Sequence, residues 1–155
     1  MHYRCSGLDA LPFLPLFGLS DAALAERRIR RDIADAADAY PCRVSLAHAA
    51  PGESLLLLNF EHQPAESPYR ACGPIYVRER SLPRFDTVDV VPEILRPRPL
   101  SIRAYDAAGM IVDADVHEGR LFEEAVARYF AQPAVDYLHV HLARRGCYAC
   151  RVDRA

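Results

Sequence analysis

Residues 139–150 read HVHLARRGCYAC. Two histidines, two arginines and two cysteines stand within one turn-containing stretch, and three kinds of chemistry can be drawn from them. Histidines two apart on a strand point to the same face and can converge on one metal ion. A C-x-x-C pair can form a redox couple, and a thiol beside an imidazole can act as a nucleophile. Arginine forks grip carboxylates or phosphates through paired hydrogen bonds.

The element that carries these residues decides among them. A three-residue loop, Arg144-Arg145-Gly146 with Gly146 in the left-handed conformation, makes the segment a β-hairpin. Leu138, Val140, Leu142, Tyr148, Cys150 and Val152 then share a core face. Tyr137, His139, His141, Cys147, Ala149 and Arg151 share a polar one, with His139 facing Arg151 and His141 facing Ala149. Cys147 and Cys150 would point to opposite faces with Cα atoms roughly 10 Å apart, too far for a disulfide. Cys150 reads as core. His139 and His141 remain as a metal half-site with Cys147 diagonal to His141. No H-E-x-x-H motif supplies a third ligand.

A second group of candidates lies in HQPAESPYRACG, residues 62–73. Twelve residues without periodicity is long for a connection in a compact domain and marks a working loop. It follows ESLLLLNFEHQ, whose run of leucines predicts a strand buried on both faces that delivers Asn59, Glu61 and His62 to its rim. His62, Tyr69 and Arg70 are its functional candidates. The simpler roles are a packing anchor for Tyr69 and a brace on Glu66 for Arg70. LSIRAYDAAGMIVDADV predicts another hairpin, with Gly109 in a three-residue loop and Arg103 opposite Asp113. Its apolar set, Leu100, Ile102, Ala104, Val112, Ala114 and Val116, falls on the other face.

The remaining elements are a strand near 43–47, a short helix capped by Ser20, and one strong helix over 119–132. Leu121, Phe122, Ala125, Val126, Tyr129 and Phe130 form the buried stripe of that helix. The arginine run Arg27, Arg28, Arg30, Arg31 reads as a solvated face or edge strand. Together these predict a single α+β domain over 1–155, mostly antiparallel sheet, with the strong helix and the short N-terminal helix packed on one face.

The chain has 155 residues and a net charge of −2 from 19 basic and 21 acidic residues. That balance gives no sign of a nucleic-acid or membrane-surface partner, and a homodimer is left open. Every basic residue is arginine, which closes Schiff-base chemistry and fits a GC-rich bacterial genome. No secretory segment is legible, and an odd number of cysteines, five, reads as reduced thiols in a cytoplasmic protein. Phosphate-loop, dinucleotide and nucleophile-elbow motifs are absent, so no cofactor is assigned.

PCRVSL at 41–46, FEHQPAESPYRACGPIYVRE at 60–79, RAYDAAGMIVDADV at 103–116 and HVHLARRGCYACRVDR at 139–154 resemble a bacterial family known as domain of unknown function 1203. The resemblance implies a small stand-alone protein and no particular activity. The first functional expectation is therefore a pocket for a small anionic molecule. In it His62, His141 and Cys147 are the catalytic candidates for acid-base or thiol chemistry, and Tyr69, Arg70, Arg103 and His139 are the binding candidates. This reading assigns no metal. It requires His62 or Arg70 to lie within about 8 Å of His141, near enough to share one ligand. The alternatives are a metal site on His139 and His141 with Asp113 or Glu61 as third ligand, and a non-catalytic interaction module.

Overall fold

A computed structural model describes residues 1–80 and 83–155. It contains nine strands and two α-helices in the order β1 (Tyr3–Ser6), α1 (Asp21–Glu26), β2 (Arg30–Ile33), β3 (Ser54–Gln63), β4 (Ala71–Arg78), β5 (Asp86–Val88), β6 (Pro99–Tyr105), β7 (Ile111–Glu118), α2 (Phe122–Phe130), β8 (Tyr137–Leu142) and β9 (Cys147–Arg154). Six strands form one sheet in the order β5-β1-β9-β8-β6-β7, and β2-β3-β4 form a second. Every strand pairing is antiparallel. The α+β, mostly antiparallel class is as expected. No helix among the described residues is long and apolar enough to cross a membrane.

The helices do not share one sheet face. Phe122, Ala125, Val126, Tyr129 and Phe130 of α2 are buried with Leu100, Ile102, Ala104, Leu138, Val140 and Val152 of the larger sheet. Leu24 of α1 packs with Phe13, Leu56, Leu58, Ile75 and Val77 beside the smaller one. The α2 helix is also shorter than 119–132. Residues Gly119–Leu121 form a tight 3-10 turn, and Leu121 is 39% exposed rather than part of the stripe. The Ser20 hydroxyl accepts the Ala23 amide hydrogen and caps α1. The expected strand near 43–47 is a turn instead, flanked by the isolated bridges Pro41↔His48 and Cys42↔Tyr76. The arginine run ends in β2, an edge strand.

Three bulges set the registers. In the β6–β7 hairpin the loop is Ala107-Ala108-Gly109, with Gly109 at φ 77° and the Asp106 amide donating to the Met110 carbonyl. Tyr105 pairs with Ile111 but Ala104 with Asp113, so Val112 is an extra residue and every later pair is displaced by one. Arg103 therefore lies opposite Ala114, not Asp113, and Val112 and Val116 are exposed. Asp113 falls on the α2 side and accepts a hydrogen bond from Gln132. The β8–β9 hairpin errs in the opposite sense. Its turn has four residues, since Leu142 pairs with Cys147, and a bulge at Ala149 restores the expected pairing of His139 with Arg151. The third bulge falls at His62, between the pairs Glu61↔Cys72 and Gln63↔Ala71.

The 62–73 segment is consequently not a long loop. β3 and β4 continue into it and leave a turn of 64–70. That turn packs against the β6–β7 turn, where the Ser67 hydroxyl donates to the Gly109 carbonyl at 2.8 Å. A Cβ on Gly109 would stand 2.4 Å from the Ala65 Cβ, so this contact needs glycine for its size as well as for its φ.

Candidate metal centre

The face of the larger sheet opposite α2 carries Ser101, Arg103 and Tyr105 from β6, Tyr137, His139 and His141 from β8, and Tyr148 and Arg151 from β9. It was expected to be polar. It is polar in composition, yet β8 is buried along its whole length, with His139 2% and His141 1% exposed, while Ser101, Arg103 and Arg151 are half-buried. The end of β3 lies over it. Gln63 Nε2 donates to the Tyr137 hydroxyl at 2.8 Å, and the His62 ring stacks on Tyr148 at 4.9 Å and 8°.

His62 is aimed here by its bulge, which leaves it without a cross-strand partner and bends the strand locally. Its ring centroid lies 5.2 Å from that of His141 and 6.0 Å from that of His139. The three imidazoles can each present one nitrogen so that all three lie within 4.8 Å of one another. Three nitrogens bound to one zinc-sized ion at about 2.0–2.1 Å stand roughly 3.3 Å apart, so each would move inward by at most roughly 0.9 Å.

The hydrogen bonding is incomplete in the way a ligand set requires. His141 Nδ1 lies 2.9 Å from the Gly146 carbonyl. A carbonyl only accepts, so the proton is on Nδ1 and the Nε2 lone pair is free. Such a bond from the second ring nitrogen fixes the tautomer of a metal-bound histidine. His141 Nε2, His139 Nδ1 and His62 Nδ1 are buried and have no partner among the described residues. Each unsatisfied buried nitrogen costs about 1–3 kcal/mol.

The electrostatics keep all three rings neutral at pH 7. Burial pushes His139 down to about 2, with His141, His62, Arg151 and Arg103 adding to the effect. Burial takes His141 down to about 4, against the opposing pull of the Gly146 carbonyl. His62 is lowered by burial and by the Arg103 charge. Neutral imidazole is the metal-binding form, so no proton has to be displaced.

The other sequence candidates are placed differently. Arg103 is the cross-strand neighbour of His139 and half-buried beside the cluster. Arg70 is on the surface, its guanidinium held by Glu61 at 2.6 Å and 3.2 Å, and Tyr69 is 40% exposed. Glu61 is thus engaged by Arg70 and Asp113 by Gln132 on the α2 side, so neither carboxylate is the third member of the histidine set. The Ala149 bulge pairs Cys147 with Leu142 and brings Tyr148, expected in the core, opposite His141. Cys147 is therefore not the diagonal neighbour of His141. Cys147 and Cys150 fall on the same side rather than on opposite faces, and both are free thiols. Sequence reasoning missed Tyr148, and nothing in the alternation of residues 147–152 marks the bulge that moves it.

Residues 39–154 match the family model described as Protein of unknown function (DUF1203). The chain belongs to this family. The match takes in all three histidines of the cluster, both of the bulges that shape it, and the whole of β3, β4 and β6–β9. No curated protein and no solved structure matches the chain.

Proposed function

We propose that this member of the family binds one divalent transition-metal ion on His62, His139 and His141. The observation that carries the reading is the convergence of three imidazoles, two buried and that of His62 half-buried, each with a buried nitrogen that no described protein group satisfies. The same geometry argues against histidines that merely trim a polar sheet face, since those would be hydrogen-bonded. An all-imidazole set suits zinc, copper, iron or nickel over magnesium or calcium, which take oxygen ligands.

Three neutral ligands leave the ion its full charge and a fourth position for water or substrate. Arg103 adds a cation nearby. A small anion is the ligand such a centre would favour, which retains the anionic-ligand expectation at a different address. Tyr69, Arg70 and Cys147 drop out of it. None of the three histidines lines the groove beside Arg28 and Asn59 or the one beside Arg43 and Arg98.

The test is cobalt substitution. Untagged protein stripped with chelator and titrated with Co²⁺ should develop visible ligand-field bands that saturate at one ion per chain. His62→Ala should abolish them while the far-UV circular dichroism stays native. Native protein purified without chelator should carry a stoichiometric metal by elemental mass spectrometry. Folded protein that shows neither bands nor bound metal would overturn the proposal.

A further inference from the structure

The larger groove, of about 1140 Å³, lies outside the histidine cluster and is lined by Arg43, Arg98, Arg144 and Arg145 among others. Several arginines elsewhere face carboxylates, as Arg31 meets Glu79, Arg78 meets Glu53 and Arg151 meets Asp153, while Arg84 and Arg154 bond only backbone carbonyls among the described residues. Among the described residues Arg43, Arg98, Arg144 and Arg145 also lack a carboxylate in salt-bridge contact, although Asp38 and Glu93 line the same groove.

Arg43 is the decisive residue. It is 3% exposed, yet its guanidinium is held only by neutral acceptors, with Nε donating to the Tyr148 carbonyl and Nη1 to the Pro41 carbonyl. A buried charge without a counter-ion is costly, and proteins ordinarily pair it. Burial accordingly pulls Arg43 down to about 10. Arg98, half-buried, is likewise held by neutral acceptors. Its Nη2 donates to the Asp38 carbonyl at 2.7 Å and lies 2.8 Å from His48 Nε2. Arginine has no acceptor, so His48 accepts and is the neutral tautomer with its proton on Nδ1. Burial, reinforced by the Arg98 charge, lowers its proton affinity further.

Two guanidiniums are thus fixed in direction by groups that do not neutralise them. Arg144 and Arg145, on the exposed β8–β9 turn, add two more at the margin. Orienting a cation while leaving its charge available is what an anion site requires, because the ordering cost is met before the ligand arrives. We infer that this groove binds a multiply charged small anion, phosphoryl or polycarboxylate, between Arg43 and Arg98 in its interior and Arg144 and Arg145 at its rim. Its Tyr40 and Tyr76 rings, 5.4 Å apart, give the non-ionic part of such a ligand an aromatic wall.

Isothermal titration calorimetry of the whole chain with inorganic pyrophosphate and, separately, with citrate tests this. One saturable site is expected for at least one of them, and the tighter ligand distinguishes phosphoryl from carboxylate chemistry. The double variant R144A/R145A should weaken binding by roughly tenfold or more, the factor that follows from losing charge-assisted hydrogen bonds. Arg98→Gln should do so independently. Arg128→Ala, which removes an exposed arginine of α2 away from the groove, should leave the affinity unchanged. The inference fails if neither anion saturates, if the groove-arginine variants bind like the parent, or if Arg128→Ala weakens binding as much as they do.

Discussion

Replacing His139 with leucine should stabilise the metal-free protein and destabilise it relative to the parent once zinc is present. His139 is 2% exposed and its Nδ1 has no partner among the described residues. Removing an unsatisfied buried nitrogen returns about 1–3 kcal/mol. Against this stand the ring contacts of His139 with Tyr105, Tyr148 and Tyr137, at 5.0, 5.1 and 5.3 Å. Aromatic pairs contribute about 0.5–1.5 kcal/mol beyond burial, and a leucine of similar volume keeps part of that as dispersion. The balance favours the variant by about 1 kcal/mol, or about 2–4 °C in melting temperature for a chain of this size. With zinc at a hundredfold over its dissociation constant the parent gains about 2.7 kcal/mol and the variant does not. The order of stability then inverts.

Calorimetric melting in chelator and in buffered zinc reads both halves. A variant less stable than the parent by about 2 kcal/mol or more in chelator would refute the unsatisfied-nitrogen reasoning and make His139 a structural core residue. A variant that gains as much from zinc as the parent would refute its role as a ligand. An ordinary packing residue cannot produce the inversion, because its loss lowers stability in both buffers.

Two further outcomes follow from the ion pairs. Hydrogen bonds from Arg31, and secondarily from Ser54 and the Gly18 amide, hold the Glu79 carboxyl at about 2 against an ordinary 4.5. A carboxylate depressed on folding stabilises the native state above its unfolded pKa and loses that contribution as pH falls through the folded one. Allowing for solvent screening of the partly exposed Arg31, the contribution is about 2 kcal/mol. Glu79→Gln should therefore flatten the fall in urea midpoint between about pH 4.5 and 2, and an unchanged acid limb would contradict the assignment. Arg70→Ala should shift stability by no more than about 0.5–1 kcal/mol, since both partners of the Arg70–Glu61 pair are substantially exposed. It should leave Co²⁺ binding intact; loss of the ligand-field bands would show that Arg70 reaches the histidines.

The sequence carried the elements further than it carried their registers. The leucine run of β3, the α2 stripe from Phe122 onward, the Ser20 cap and the left-handed glycines at 109 and 146 each rest on local chemistry, and each is found. Both hairpin registers were argued on the assumption of regular pairing. In β6–β7 the loop was read correctly and the register beyond it was not, because Val112 is inserted. In β8–β9 the loop was misread and the pairing of His139 with Arg151 was right, because the Ala149 bulge offsets the longer turn. A bulge costs one residue of alternation, and a hydrophobic pattern of six or eight residues absorbs that without an obvious break. The strand near 43–47 failed for a related reason. VSL alternates as a strand would, but Leu46 sits at φ 49° in a turn.

The bulges that defeated the register argument are also what assembles the cluster. Strict alternation in β8 puts His139 and His141 on one face, which is half a site. Alternation alone points to carboxylates on neighbouring strands, Asp113 or Glu61, for a third ligand. The proposed third ligand, His62, comes from the other sheet, at the bulged residue of β3, which pairs with nothing on β4. The Ala149 bulge then turns Tyr148 onto the same face, where its ring stacks flat on His62 and closes edge-on against His139 and His141. A regular β3 would have no reason to leave a polar residue unpaired at a buried crossing of two sheets, and a regular β9 would present Ala149 where the tyrosine now packs. Irregular pairing weakens a ladder, so two bulges meeting at one cluster of unsatisfied imidazoles are better explained by the metal proposed for it than by the stability of the sheets themselves.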